Sequence, residues 1–178
     1  TKQLIFSLAT SNSPDLIRTA DVLRKNWEKL GAKVEVRVFE ISDLNQNVIR
    51  PRKYDALLFG EVVGRDPDPF AFWHSSQRND PGLNIALYTN RKVDKILEEA
   101  RTLSSPTERK KKYEEFQKEV VKDSPAIFLY SPHYLYLTPS ELKDLGTEHI
   151  VLPSERFTSS YLWHFKTRYV WKIFKKGR

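Results

Sequence analysis

Residues 4–39 read "LIFSLATSNSPDLIRTADVLRKNWEKLGAKVEVRVF", and this stretch decides the fold. The opening "LIFSLAT" (4–10) is apolar enough for a buried strand. Ser13 then stands where an N-cap belongs and Pro14 takes the first helical position, both favoured there. Leu16, Ala20, Leu23, Trp27 and Leu30 share one stripe of the helix that follows, and Gly31 is placed to end it. In "KVEVRVF" the valines 34, 36 and 38 alternate with Lys33, Glu35 and Arg37, which predicts a strand with one covered face. Strand, helix, strand at this spacing is a βαβ unit, expected to be parallel and right-handed.

Working outward, a short helix is expected around 42–49, and after Pro51 comes "YDALLF". This third strand is apolar almost throughout and is therefore expected at the sheet centre. Asn90 opens a helix with Val93, Ile96, Leu97 and Ala100 on one face. Ser105, Pro106 and Glu108 form a capping box before a second helix, striped by Tyr113, Phe116, Val120 and Val121. "AIFLY" and "YLYL" predict two further short strands, the second closed by Thr138-Pro139. Beyond Leu145 the pattern is irregular. No repeat, low-complexity segment or Gly/Ser linker interrupts the chain, so residues 1–178 read as a single α/β domain with a mostly parallel sheet flanked by helices.

The 178 residues suffice for a hydrophobic core. The absence of cysteine excludes disulfides, Cys-ligated zinc and thiol nucleophiles. There is no methionine, even at position 1, and neither a signal peptide nor an apolar run of membrane-spanning length is visible. The expectation is a soluble piece of something longer. The net charge of +7 is concentrated in residues 166–178, "KTRYVWKIFKKGR", with six basic residues and no acid. The other 165 residues carry 24 basic and 23 acidic side chains. A near-neutral body with a basic tail argues against nucleic acid as a partner.

Residues 64–77, "GRDPDPFAFWHSSQ", crowd charge, proline and rings into a loop that leaves the third strand. Strand ends of this kind are where ligands bind in open parallel sheets. Asp66 and Asp68 are spaced i, i+2 in a proline-rich segment, a divergent arrangement for an acid/base pair. Asp68 also stands where an N-cap would, before a helix near Phe70. His74-Ser75-Ser76 is adjacency rather than a triad, and Asp66, Asp68 and His74 lack a metal-ligand spacing. No cofactor motif is present. Phe70, Phe72 and Trp73 fit a core, with Trp73, beside His74, the best candidate among them for a ligand contact.

Four segments in order, "LIFSLATSNSP…ADVLRKNWEKLGAKVEVRVFE", "YDALLFG…DPDPFAFWHSS", "LNIALYTNRKVDKILEEAR" and "RKKKYEEFQKEVVKDSPAIFLYSP", resemble the second half of the family 5 extracellular solute-binding proteins. These are the oligopeptide, dipeptide and nickel receptors of ABC importers, and the resemblance covers residues 3–136. It implies a periplasmic-binding-protein-like lobe, the C-terminal one of two, with the first lobe absent from this chain. It implies an extracytoplasmic binding protein rather than an enzyme, no cofactor, and ABC permease subunits and a peptide or other solute as partners. A nickel chelate or sugar is the alternative ligand; a hydrolase using Asp66 and Asp68 is a more distant one.

In that family an aspartate after the third strand meets the peptide α-ammonium, often with a tryptophan nearby. Anchored on Asp68-Pro69, the aspartate position falls on Arg65, next to Asp66, and the tryptophan position on Val62 or Glu61. The resemblance therefore leaves two options. Asp66 or Glu61 supplies the negative charge, or Arg65 grips a ligand carboxylate bidentately. The candidate ligand-binding set is Glu61, Val62, Arg65, Asp66, Trp73 and His74.

Overall fold

The computed structural model describes residues 2–64, 68–146 and 150–165. The chain forms two compact units, divided after Ile127. In the first, β1 (Ile5–Ser11), α1 (Pro14–Lys29) and β2 (Lys33–Phe39) form the expected βαβ unit. β1 and β2 run parallel in register from Ile5 opposite Lys33 to Ser11 opposite Phe39. Gly31 adopts φ +89°, left-handed backbone that glycine accepts without strain, one residue past the helix C-cap. Ser13 sits at the N-cap but makes no side-chain cap bond there; its own amide leans on the Ser11 hydroxyl at 3.4 Å. Leu30 is the C-cap and stands 85% exposed, off the stripe that Leu16, Ala20, Leu23 and Trp27 press on the sheet.

The third strand, β3 (Ala56–Leu58), corrects one expectation. The order is β2-β1-β3, so β1 is central and β3 lies at an edge of this sheet. The apolar run "YDALLF" instead reflects cover on both faces. Ala56 and Leu58 pack with Leu8, Ala20 and Val34 beneath α1. Tyr54, Leu57 and Phe59 pack with Ala9, Leu44, Val48 and Ile49 on the other side. That second layer comes from α2 (Ile41–Asp43), which runs directly into a π-helical turn, Leu44–Ile49. Two polar ties join β1 to β3: in a buried one Thr10 Oγ1 donates to Leu58 O at 3.0 Å, and in a half-buried one Asp55 accepts from Ser7 N and Oγ at 2.9 and 2.8 Å. Asp55 thereby extends the ladder one residue before β3 itself begins.

After α3 (Phe70–Trp73) and a 3₁₀ turn (Ser75–Gln77), the long helices α4 (Arg91–Thr102) and α5 (Pro106–Asp123) close a third apolar cluster. Tyr88, Val93, Ile96, Leu97, Phe116 and Val120 form its buried part. Val121 is on the open side of α5, 66% exposed, and does not join its predicted stripe. Asn90 caps α4 through Oδ1, accepting from Lys92 N at 2.8 Å and Val93 N at 3.2 Å. Its substitution by alanine is expected to cost ~0.5–2 kcal/mol in urea unfolding. The Ser105 hydroxyl approaches Glu108 N at the N-terminus of α5.

"AIFLY" and "YLYL" are not strands. Among the described residues, 126–137 find no strand partner, and an apolar pattern alone cannot supply the neighbouring backbone that a ladder needs. Among its described residues the second unit has a short antiparallel pair, β4 (Leu142–Lys143) with β5 (His164–Phe165), and 3₁₀ turns at Pro153–Phe157 and Ser160–Leu162. The basic tail, 166–178, lies outside the described residues. No helix among the described residues is long and apolar enough to cross a membrane.

Candidate functional site

Because β1, β2 and β3 are parallel, their C-terminal ends lie at one edge of the sheet. The chain leaves β1 toward β2 on one side and returns to β3 on the other. The loops after β1 and β3 therefore part at a topological switch point, where such sheets hold ligands. The Thr10–Leu58 bond fixes both strand ends there. On the β3 side the loop carries Glu61, Val62 and Val63, with the valines 65% and 46% exposed. Glu61 is also at the surface, yet protein atoms displace enough water from its carboxyl to push its pKa up to about 7. Desolvation is the sole cause, so no cation among the described residues offsets it. Arg65 and Asp66 lie outside the described residues.

From Asp68 onward the loop is bolted to α4. Asp68 accepts from Phe70 N at 3.1 Å, as a capping residue does, and its other oxygen meets Arg101 Nε at 3.1 Å. The Arg101 guanidinium lies 4.4 Å over the Phe70 ring, whose opposite neighbour is the His74 imidazole, stacked at 4.1 Å and 14°. Asp94 accepts from both Ser75 N (2.8 Å) and Ser75 Oγ (2.6 Å).

His74 is 8% exposed. Its Nδ1 accepts from Ser76 N at 3.1 Å, with the Ser76 hydroxyl 2.7 Å away, so a neutral ring carries its hydrogen on Nε2. Nε2 makes no hydrogen bond, although Glu98 and Asp94 oxygens stand 3.4 and 3.8 Å off. The Ser76 hydroxyl is held by Gln77 as well, at 3.1 Å. This geometry caps the 3₁₀ turn.

Trp73 faces inward, edge-on to Tyr88 and Phe116 at 6.2 Å each. Of the predicted set, the structure thus places Glu61 and Val62 at the open strand end, and Trp73 and His74 behind the loop. Among the described residues no three His, Asp or Glu side chains come together as metal ligands.

Two residues that sequence reasoning passed over hold this region. Asn84, fully buried, donates through Nδ2 to His74 O and Tyr88 O and accepts from Tyr88 N. Tyr88 in turn donates to Asp123 at 2.6 Å, which also accepts from Asn90 at 2.7 Å. Burial first, and then Asp123, push the Tyr88 phenol up to about 12. The same bonds, Tyr88's foremost, hold the Asp123 carboxyl below its ordinary value of 3.8. A depressed carboxylate stabilises the fold above its unfolded pKa, and the contribution fades as pH falls through the folded one. Tyr88→Phe should therefore lower the melting temperature at pH 7 more than at pH 3. An equal loss at both pH values would show that the hydroxyl does not act by stabilising the ionised form of Asp123.

No family model matches the chain. It is 30% identical to the oligopeptide-binding protein AppA of Bacillus subtilis over 145 residues, 80% of this chain and 26% of AppA. It is 26% identical, over 76% of its length, to the probable D,D-dipeptide-binding periplasmic protein DdpA of Escherichia coli. The solved structure of B. subtilis AppA in complex with a nonapeptide superposes with a TM-score of 0.73 at 25% identity, over 93% of this chain and 32% of that one. NikZ of Campylobacter jejuni, in complex with Ni(L-His), does so at 0.66 and 26%, over 90% of this chain and 33% of NikZ. The chain spans about a quarter of the length of the curated relatives it matches. Parallel strands flanked by helices and this run of similarity lead to one finding: the relatives and structural neighbours of this chain are family 5 extracellular solute-binding proteins.

Proposed function

We propose that the chain is the second, C-terminal lobe of a two-lobed extracytoplasmic receptor that captures peptides in an interlobe cleft for an ABC permease. The observation that carries this reading is the match to AppA, which holds in sequence and in backbone together and reaches a protein solved with a nonapeptide. Binding here is hinge closure without chemistry. Glu61 and Val62, at the end of β3, and Arg65 and Asp66, next in sequence, meet the solute, while Trp73 and His74 anchor the chain from Asp68 onward. Stiffness matters because a loop already fixed loses little freedom when the cleft shuts. Exclusion of water then strengthens each ion pair formed there.

Thermal-shift screening tests the reading on the polypeptide that contains this chain. A peptide at a hundred times its Kd adds ~2.7 kcal/mol of stability, a shift of several degrees. A chelated metal is the second reading, favoured by the similarity to NikZ. A shift with Ni(L-His) and none with peptide pools would replace the first reading by the second.

A further inference from the structure

Helix α4 turns a polar stripe toward a single stretch of chain. Asp94, Glu98 and Arg101 follow one another at i, i+4 and i+7 and so share a face, while Val93, Ile96, Leu97 and Ala100 are buried on the other. All three reach residues 68–75. Asp94 holds Ser75, Glu98 stands 3.4 Å from His74 Nε2, and Arg101 Nε meets the Asp68 carboxylate at 3.1 Å. Arg101 makes a second contact with its flat face, which covers the Phe70 ring at 4.4 Å. A planar guanidinium can pair along its edge and stack on its face together; an ammonium lacks the face. Asp68 also accepts from Phe70 N, so one carboxylate joins α4 to the start of α3. The Arg101 and Asp68 side chains are 52% and 39% exposed, and an ion pair that open adds little to global stability. Its effect is local, where the loop that carries Glu61 and Val62 runs into α3.

We propose that Arg101 is a positioning residue for solute binding. Without touching the solute, it fixes the Asp68 end of the loop after β3 and so sets the loop before the solute arrives. This rests on the reading of the chain as a receptor lobe. Removing the Arg101 contacts returns about one residue's backbone freedom to the loop, and the solute must then take that freedom away on binding. The cost corresponds to about tenfold in affinity.

The test uses the polypeptide that contains this chain, titrated with a nonapeptide pool and with Ni(L-His) and followed by thermal shift. Arg101→Ala should raise the half-saturating concentration about tenfold, while the melting temperature without solute moves by less than about 3 °C. Asp68→Asn, which keeps an oxygen for the Phe70 amide, should weaken binding in the same way. The double variant should be no weaker than the worse single one, since both changes remove one contact. Arg101→Lys should fall between the parent and Arg101→Ala, because it keeps the charge beside Asp68 and loses the flat face over Phe70. Losses that add in the double variant would mean that Arg101 meets the solute itself, which overturns the inference. A fall of more than about 6 °C in both Arg101→Ala and Arg101→Lys overturns it too, by making the residue a support of the whole fold. A parent that binds, with Arg101→Ala binding equally well, sinks this inference alone. A parent that takes up neither probe sinks the receptor reading and this inference with it.

Discussion

Asn84→Leu is expected to destabilise the chain by ~2–6 kcal/mol, although it nearly conserves volume. The fully buried amide satisfies three backbone groups. His74 O has a second donor in Gln77 N, at 3.0 Å, and keeps it. Tyr88 N and Tyr88 O lose the bonds that Asn84 makes to them, at 3.1 and 3.0 Å. Each buried backbone group left without a partner costs ~1–3 kcal/mol, which gives the range above. The loss spreads, because Tyr88 sits in the α4–α5 cluster and its hydroxyl holds Asp123. Urea unfolding should show a lower midpoint with an unchanged slope. Asn79→Leu, at an exposed position of the same loop, should stay within about 0.5 kcal/mol of the parent. A loss below about 1 kcal/mol at Asn84 would mean that water enters and takes over its bonds.

Asn84 also shows where sequence reading stops. Its one signal is an amide inside the apolar run "LNIALY", and nothing local says that its partners are ten residues before it and four after it. The βαβ unit was legible because its determinants are local: Pro14 at the helix start, Gly31 at its end, and two periodicities. Strand order was not. "YDALLF" reports that both faces are covered, and a strand at the edge between α1 and the π-turn layer is as well covered as a central one. Asp68 was expected at the N-cap, but Pro69 holds that place; Asp68, one residue earlier, bonds the Phe70 amide, and its second contact, Arg101, lies 33 residues on. His74 suggested chemistry by residue type. Its surroundings, the Phe70 ring four residues earlier and the Ser76 amide two later, turn it into a stacked capping side chain.

Glu61→Gln in the complete receptor is expected to weaken peptide binding about thirtyfold or more, the ~2–5 kcal/mol typical of removing one partner from a desolvated charge pair. Protein atoms displace water from the carboxyl at the end of β3, and no cation among the described residues offsets this, so its pKa is pushed up to about 7. In the free protein this raised value favours the fold fully below the ordinary 4.5 and loses that contribution as pH rises through about 7. Glu61→Gln should therefore gain stability relative to the parent between pH 4 and pH 8. On the receptor reading proposed above, a peptide ammonium would supply a cation and draw the carboxyl back to its ionised form. Near pH 7 binding should release a proton, visible as a binding enthalpy that changes with the ionisation heat of the buffer. Affinity should climb as pH rises through about 7 and fall once the α-ammonium, with its pKa of about 8, deprotonates. N-acetylating the peptide should cost the parent as much as the mutation does and cost Glu61→Gln far less, since both changes remove one interaction. If Asp66 makes the contact instead, the same cycle closes on Asp66→Asn and the buffer dependence disappears. If Arg65 holds a carboxylate, amidating the peptide is the damaging change and Arg65→Ala masks it. Binding indifferent to acetylation and amidation alike would remove this loop from the reading of peptide ends.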